Sequence, residues 1–180
     1  MTRPIFFDTD CISSFLWVRQ ETLLFNLYPG RIVLPQEVFL ELSNPSIPHI
    51  KNKVALLCSG GDISTRQILM NSEAYHLYHE MAISPPKGVT VIGKGEAAAL
   101  ALAKVEGGIV ASNNLKDIRR FIQKYQLDYI NTGVILKSAF QAGLIDQDTG
   151  DEIWSNMLLK RRILPSNSFS EYLKMESNSI

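Results

Sequence analysis

Asp8 and Asp10 stand two residues apart directly after the apolar run Ile5-Phe6-Phe7, Glu41 lies a turn beyond Val33-Leu34-Pro35, and Glu96 follows Gly93-Lys94-Gly95. A fourth polar site, Asn113-Asn114 with Asp117, follows Ile109-Val110-Ala111. Carboxylates gathered at one edge of a sheet repel one another unless a hard cation neutralises them, and oxygen donors of this kind suit magnesium or manganese. One or two such cations would activate water against a phosphodiester and stabilise the charge developing at phosphorus, with no covalent intermediate. Taken one at a time, each acid reads first as a group that caps or solvates a helix N-terminus, where the dipole favours negative charge. The metal reading depends on all of them meeting.

The elements that would bring them together follow from punctuation and apolar spacing. Ile5-Phe6-Phe7 reads as a buried strand, with Thr9 or Asp10 able to cap the helix after it, and helical spacing runs from Cys11 to about Leu27 before Pro29-Gly30. A second strand is expected at Arg31-Ile32-Val33-Leu34, then a short helix with Pro35 in its first position, broken at Asn44-Pro45. Further helices are expected from Ile50 to Cys58 and from Ser72 to Met81, with a short strand through Ile63 between them. Val89-Thr90-Val91-Ile92 reads as a strand leading into an Ala/Leu-rich helix that ends near Gly107-Gly108. A strand at Gly108 to Ser112, a helix from about Leu115 to Tyr125, a strand from Leu127 to Ile130 and a series of helices from Thr132 complete the chain. Strands alternating with helices specify a parallel, doubly wound sheet, whose ligands bind beyond the carboxyl ends of the strands.

With 180 residues, 46% of them hydrophobic, the chain can bury one sizeable core but is marginal for two, so one domain over 1–175 is expected, with 176–180 as a frayed tail. Eighteen basic residues balance eighteen acidic ones, so affinity for nucleic acid must come from local patches rather than net charge. Cys11 and Cys58 have neither metal-ligand nor disulfide-framework spacing and read as reduced core thiols. No apolar run approaches the roughly 18 residues of a membrane span, and a carboxylate within eight residues of the start argues against a signal peptide, so a cytoplasmic protein is expected.

Two competing motifs are weaker. Gly93-Lys94-Gly95-Glu96-Ala97-Ala98 fits the loose form of a dinucleotide fingerprint, but Ser112-Asn113-Asn114 stands where the ribose-binding acid belongs. Glu73, His76, His79 and Glu80 share helical spacing without a second ligand set, which favours a solvated helix face. Lys116, Arg119, Arg120 and Lys124 recur along the helix after Asn114, and Lys160-Arg161-Arg162 forms a second basic cluster. Cations near a metal site can hold RNA phosphates without reading sequence, although a solvated face accounts for them almost as well.

The order and spacing of Ile5-Phe6-Phe7-Asp8-Thr9, Val33-Leu34-Pro35 to Glu41-Leu42, Gly95-Glu96-Ala97 to Ala103, Ile109 to Asn114, and Lys160 to Phe169 resemble the PIN domain family, in particular its VapC-like toxin ribonucleases. The resemblance spans nearly the whole chain. It implies a PIN-like three-layer α/β/α fold with a central, mostly parallel twisted sheet. It also implies a Mg²⁺- or Mn²⁺-dependent endoribonuclease acting on single-stranded RNA, a homodimer, and a small antitoxin protein as partner. Asp8, Glu41 and Glu96 match the family's first three active-site acids. The fourth is usually aspartate, where this chain offers Asn113-Asn114 with Asp117 one turn later. An amide carbonyl still ligates a hard cation but supplies no charge. Asp10, where the family commonly has a small polar residue, is an added carboxylate that either restores that charge or caps the helix. The expected site is therefore Asp8, Glu41, Glu96, Asn114 and Asp117, with Asp8, Asp10, Glu96 and Asn114 on the metal. Lys116, Arg119 and Arg120 are expected along the RNA, the helix after the fourth acid bordering the groove in this family. A catalytically silent PIN-like module for RNA or protein binding is the alternative.

Overall fold

Residues 2–177 are described by the computed structural model. The elements run β1 (Ile5–Phe7), α1 (Thr9–Trp17), α2 (Glu21–Leu27), β2 (Ile32–Pro35), α3 (Gln36–Leu42), α4 (Pro48–Ser59), β3 (Ser64–Arg66) and α5 (Glu73–Ala82). They continue with α6 (Lys94–Glu106), β4 (Ile109–Ala111), α7 (Leu115–Tyr125), β5 (Asp128–Ile130), α8 (Thr132–Gln141), α9 (Gln147–Leu159) and α10 (Phe169–Ser177). Every strand pairing is parallel, in the order β3-β2-β1-β4-β5.

The period-2 alternation of the strands divides the apolar side chains between two cores. Ile5, Phe7, Ile32, Leu34 and Ala111 pack with α1 to α4 and α8 to α10. Phe6, Val33 and Val110 pack with α5, α6 and α7 on the opposite face. The three layers of an α/β/α fold result, and strands covered on both faces read as continuous apolar runs in the sequence. Helix α6 is buried from Ala97 to Ala103, its alanines leaving no bulk to hold it off the sheet. Helices α9 and α10 meet closely where Gly150 faces Phe169, and a Cβ there would collide with the ring. Gly150→Ala is expected to lower stability by about 1–3 kcal/mol despite the better helix propensity of alanine, as read from the urea midpoint at constant m-value.

The expected helix over 11–27 is two helices. Arg19 takes a left-handed conformation (φ 58°) that ends the first, and the turn lets Leu16, Leu23 and Leu24 enter the same core. Pro35 closes β2 and caps α3 rather than opening it. The strand expected through Ile63 starts after it, as an exposed edge strand at Ser64–Arg66. Val89 to Ile92 is not a strand. Ile92 alone of that run is buried, its N–H bonded to the Met81 carbonyl, so no strand partner organises the β-branched residues around it. Of the residues expected to form a tail, Glu176 and Ser177 close α10, with Glu176 paired to Lys137 at 3.1 Å, while 178–180 lie outside the described residues. Among the described residues no helix is long and apolar enough to cross a membrane.

Candidate functional site

In the order β3-β2-β1-β4-β5 the connections reverse direction between β1 and β4, and an open parallel sheet leaves a crevice at such a point. Asp8 directly follows β1, and Ser112 to Asn114 follow β4. A cleft of about 340 Å³ opens there, lined by Asp8, Thr9, Asp10, Glu41, Gly93, Gly95, Glu96, Asn114 and Asp117. All the expected catalytic and metal residues thus line one cleft, from four separate stretches of chain.

Asp8, rather than Thr9 or Asp10, caps α1. Its Oδ1 accepts from the Cys11 N–H at 2.7 Å, fixing the carboxylate at the positive end of the helix. The residue is 1% exposed and, among the described residues, Oδ2 has no hydrogen-bond partner. Burial pushes its carboxyl up to about 7. The nearby Ser112 hydroxyl, which makes no well-formed bond to Oδ2, and the Cys11 N–H oppose the rise, while Asp10 and Glu96 add to it. A buried acceptor left without a partner is costly, and a cation or a proton would satisfy it.

Glu96 caps its own helix, Oε2 accepting from the Gly93 N–H at 3.1 Å. Its Oε1 accepts from Asn114 Nδ2 at 2.8 Å, and the same amide donates to Asp117 Oδ2 at 2.7 Å. Partial burial raises the Glu96 carboxyl above its ordinary value, the Asn114 and Gly93 bonds oppose this, and the charges of Asp117 and Asp10 reinforce it. Asn114 was expected to offer its carbonyl to a cation. Here its NH₂ group bridges two carboxylates instead, a neutral donor in the position a cation would take.

Asn113 faces elsewhere. Its Oδ1 accepts from the Thr132 N–H at 3.0 Å and its Nδ2 donates to Ser14 Oγ at 3.3 Å, tying α1 to the start of α8. Of the two asparagines, only Asn114 lines the cleft. Glu41 is held by a hydrogen bond from Thr9 Oγ1 to its Oε2. A Cβ at Gly95 would stand 3.1 Å from Thr9 Oγ1 and 3.4 Å from Glu41 Oε1, so this glycine lets α6 approach α1 and α3. Asp10 Oδ1 lies 3.3 Å from Arg162 Nη1, which also donates to Ser13. Sequence reasoning missed Thr9, Gly95 and Arg162 as site residues. The first two adjoin expected acids, whereas nothing in the sequence connects Arg162 with Asp10.

Lys116, Asp117 and Arg120 line a smaller cavity beside this cleft, sharing Asp117 with it. Arg120 donates to the Thr90 carbonyl and lies over the Phe121 ring, and Lys124 pairs with Glu80 at 2.9 Å. Lys116 and Arg119 are exposed. The Gly93-Lys94-Gly95 turn lacks the preceding strand a dinucleotide fingerprint needs.

Among the described residues, no three His, Cys, Asp or Glu side chains are gathered closely enough to hold a metal ion by themselves. Compared with known proteins, the chain matches no family model and no curated protein sequence. The three-layer α/β/α architecture with its parallel sheet stands on the structure alone.

Proposed function

We propose that the acidic cleft is the active site of a divalent-cation-dependent endoribonuclease of the PIN-domain type, acting on single-stranded RNA. The observation that carries this reading is the buried, unpartnered Asp8 Oδ2, in a cleft shared with Glu96, Glu41, Asp10 and Asp117. Magnesium keeps several waters and takes one or two carboxylates, so Asp8 with Glu96 suffices as a protein anchor without a third close ligand. Carboxylate-only donors favour Mg²⁺ or Mn²⁺ over softer metals. Bound there, the cation would supply an activated water and charge stabilisation at phosphorus. Glu41, set by Thr9, faces the same space and is suited to orient that water. Lys116, in the cavity beside the cleft, and the exposed Arg119 on the same helix are the contacts for phosphates, while Arg120 is already engaged with Thr90. A toxin role with a small antitoxin, and a homodimer, belong to the same proposal.

The test is cleavage of single-stranded RNA with added Mg²⁺ or Mn²⁺, wild type beside Asp8→Asn, with EDTA as control. Metal-dependent cleavage lost in the variant is the expected result. A second reading, a PIN-like module that binds without cutting, draws on the Asn114 amide between Glu96 and Asp117. It gains if metal binds, RNA binds and nothing is cut. Replacing Lys116 and Arg119 with alanine is expected to weaken RNA binding across sequences and to reduce its log-log salt slope by about one per cation, with metal affinity unchanged. Unaltered RNA affinity at low salt would assign both to a solvated helix face.

A further inference from the structure

A second cavity, of about 630 Å³, shares no residue with the acidic cleft and is lined by Leu16, Trp17, Arg19, His49, Lys53 and Lys160. Its chemistry is the opposite: three permanent cations and two aromatic rings. His49 meets Trp17 edge-on at 4.6 Å, fixing one side of the indole. Lys53 is committed to Glu21 at 2.6 Å, whereas among the described residues Arg19 and Lys160 have no carboxylate partner. Arg19 and Arg161, beside Lys160, both hold left-handed backbone (φ 58°) that non-glycine residues seldom adopt. Both lie in the turns that end α1 and α9, and these turns set Arg19 and Lys160 at one cavity.

The cavity is joined to the cleft twice. Helix α1 has Asp10 at the cleft and Trp17 at the cavity, a separation of about 10 Å along the helix. The segment Lys160-Arg161-Arg162 begins in the cavity and ends on Asp10. At about 3.4 Å per nucleotide, roughly three nucleotides of a stacked strand bridge that distance.

The geometry points to a nucleotide subsite in this cavity: a phosphate between Arg19 and Lys160 and a base against Trp17, on the strand whose neighbouring segment enters the acidic cleft. The proposal deepens the nuclease reading and rests on it for the direction of the strand. An aromatic wall beside cations is the arrangement that holds single strands without reading sequence, and an acidic peptide would use the cations but not the indole. The acidic cleft repels phosphate in the absence of a cation, so this cavity supplies affinity that the cutting site does not.

Trp154 is fully buried and Trp17 is not, so quenching of tryptophan fluorescence reports on the cavity. The experiment titrates full-length protein in EDTA with hexauridylate, and separately with hexaglutamate. Saturable quenching by the RNA, absent in Trp17→Phe, is expected. Arg19→Asn with Lys160→Glu, the asparagine tolerating the left-handed backbone, should weaken binding at least about tenfold and lower the salt slope by about two. In Mn²⁺, the double variant should lose more cleavage on longer RNA than on a dinucleotide too short to reach the cavity, and an equal loss on both would overturn the proposal. Equal affinity for hexaglutamate would overturn the proposal in favour of an acidic protein partner. So would cleavage of RNA by wild type without any response at Trp17. Quenching with the expected charge dependence, but no cleavage under any metal, would retain the nucleotide subsite and reject the nuclease reading.

Discussion

At pH 8 without metal, Asp8→Asn is expected to be more stable than the wild type, and it should lose both the stabilisation by Mn²⁺ and RNA cleavage. The carboxyl titrates near 7 when folded against an ordinary 3.8, so between these values the native state holds a proton that the unfolded chain has released. Stability contributed by this group is therefore complete below 3.8, declines as pH rises towards 7, and is lost above it. The difference corresponds to about 4 kcal/mol. Asparagine keeps the helix cap through its oxygen but places an amide where Oδ2 stood, which costs about 1–3 kcal/mol if unpaired. A net gain of roughly 1–3 kcal/mol at pH 8, turning into a net loss of about 1–3 kcal/mol below pH 4 where only the amide cost remains, is the outcome to look for in urea titrations at several pH values. Cleavage should fall at least about 100-fold, since even indirect partners of a metal ligand are worth ten- to a hundredfold. A variant less stable than wild type at pH 8 would show that the Asp8 carboxylate is not strained by burial. Retained cleavage would remove it from the reaction.

The Asn114→Asp variant should behave in the opposite sense. The amide donates at 2.8 Å to Glu96 and at 2.7 Å to Asp117, and aspartate removes both bonds while adding a third negative charge. Hydrogen bonds to charged acceptors are worth about 1.5–3 kcal/mol, less for the exposed Asp117, so a loss of about 2 kcal/mol or more is expected in EDTA. Saturating Mn²⁺ should reverse that loss, with affinity at least about tenfold above wild type, because the added carboxylate supplies the charge the amide lacks. Thermal melts with and without Mn²⁺ read both effects. Asp10→Ala combined with Asn114→Asp tests whether Asp10 shares the cation. Since Arg162 already holds the Asp10 carboxylate, additivity within about 0.5 kcal/mol is expected, and a larger coupling would put Asp10 on the metal. If Asn114→Asp binds Mn²⁺ no better than wild type, Asn114 lies outside the coordination sphere.

The sequence by itself determined the layers and the order of the elements. Ile5-Phe6-Phe7, Ile32-Val33-Leu34 and Ile109-Val110-Ala111 are apolar on both strand faces, and helices between them force parallel pairing, so a doubly wound sheet was legible from local pattern. The placement of Asp8, Glu41, Glu96 and Asn114 at strand ends and helix starts was legible for the same reason. Where one residue's conformation was decided by distant packing, the pattern misled. Arg19 carries no turn signal, yet its left-handed turn splits the first helix so that both halves share a core, and Val89 to Ile92 has strand chemistry but only Ile92 is buried.

The tertiary structure alone decided the partners of the polar groups, because hydrogen bonds between residues far apart in sequence depend on distances that no spacing encodes. It turned Asn113 towards Thr132 and Asn114 towards Glu96 and Asp117. It brought Arg162 from beyond α9 to Asp10. It also left one oxygen of Asp8 buried without a partner, a consequence of the cap on α1 and the closure of the sheet around it.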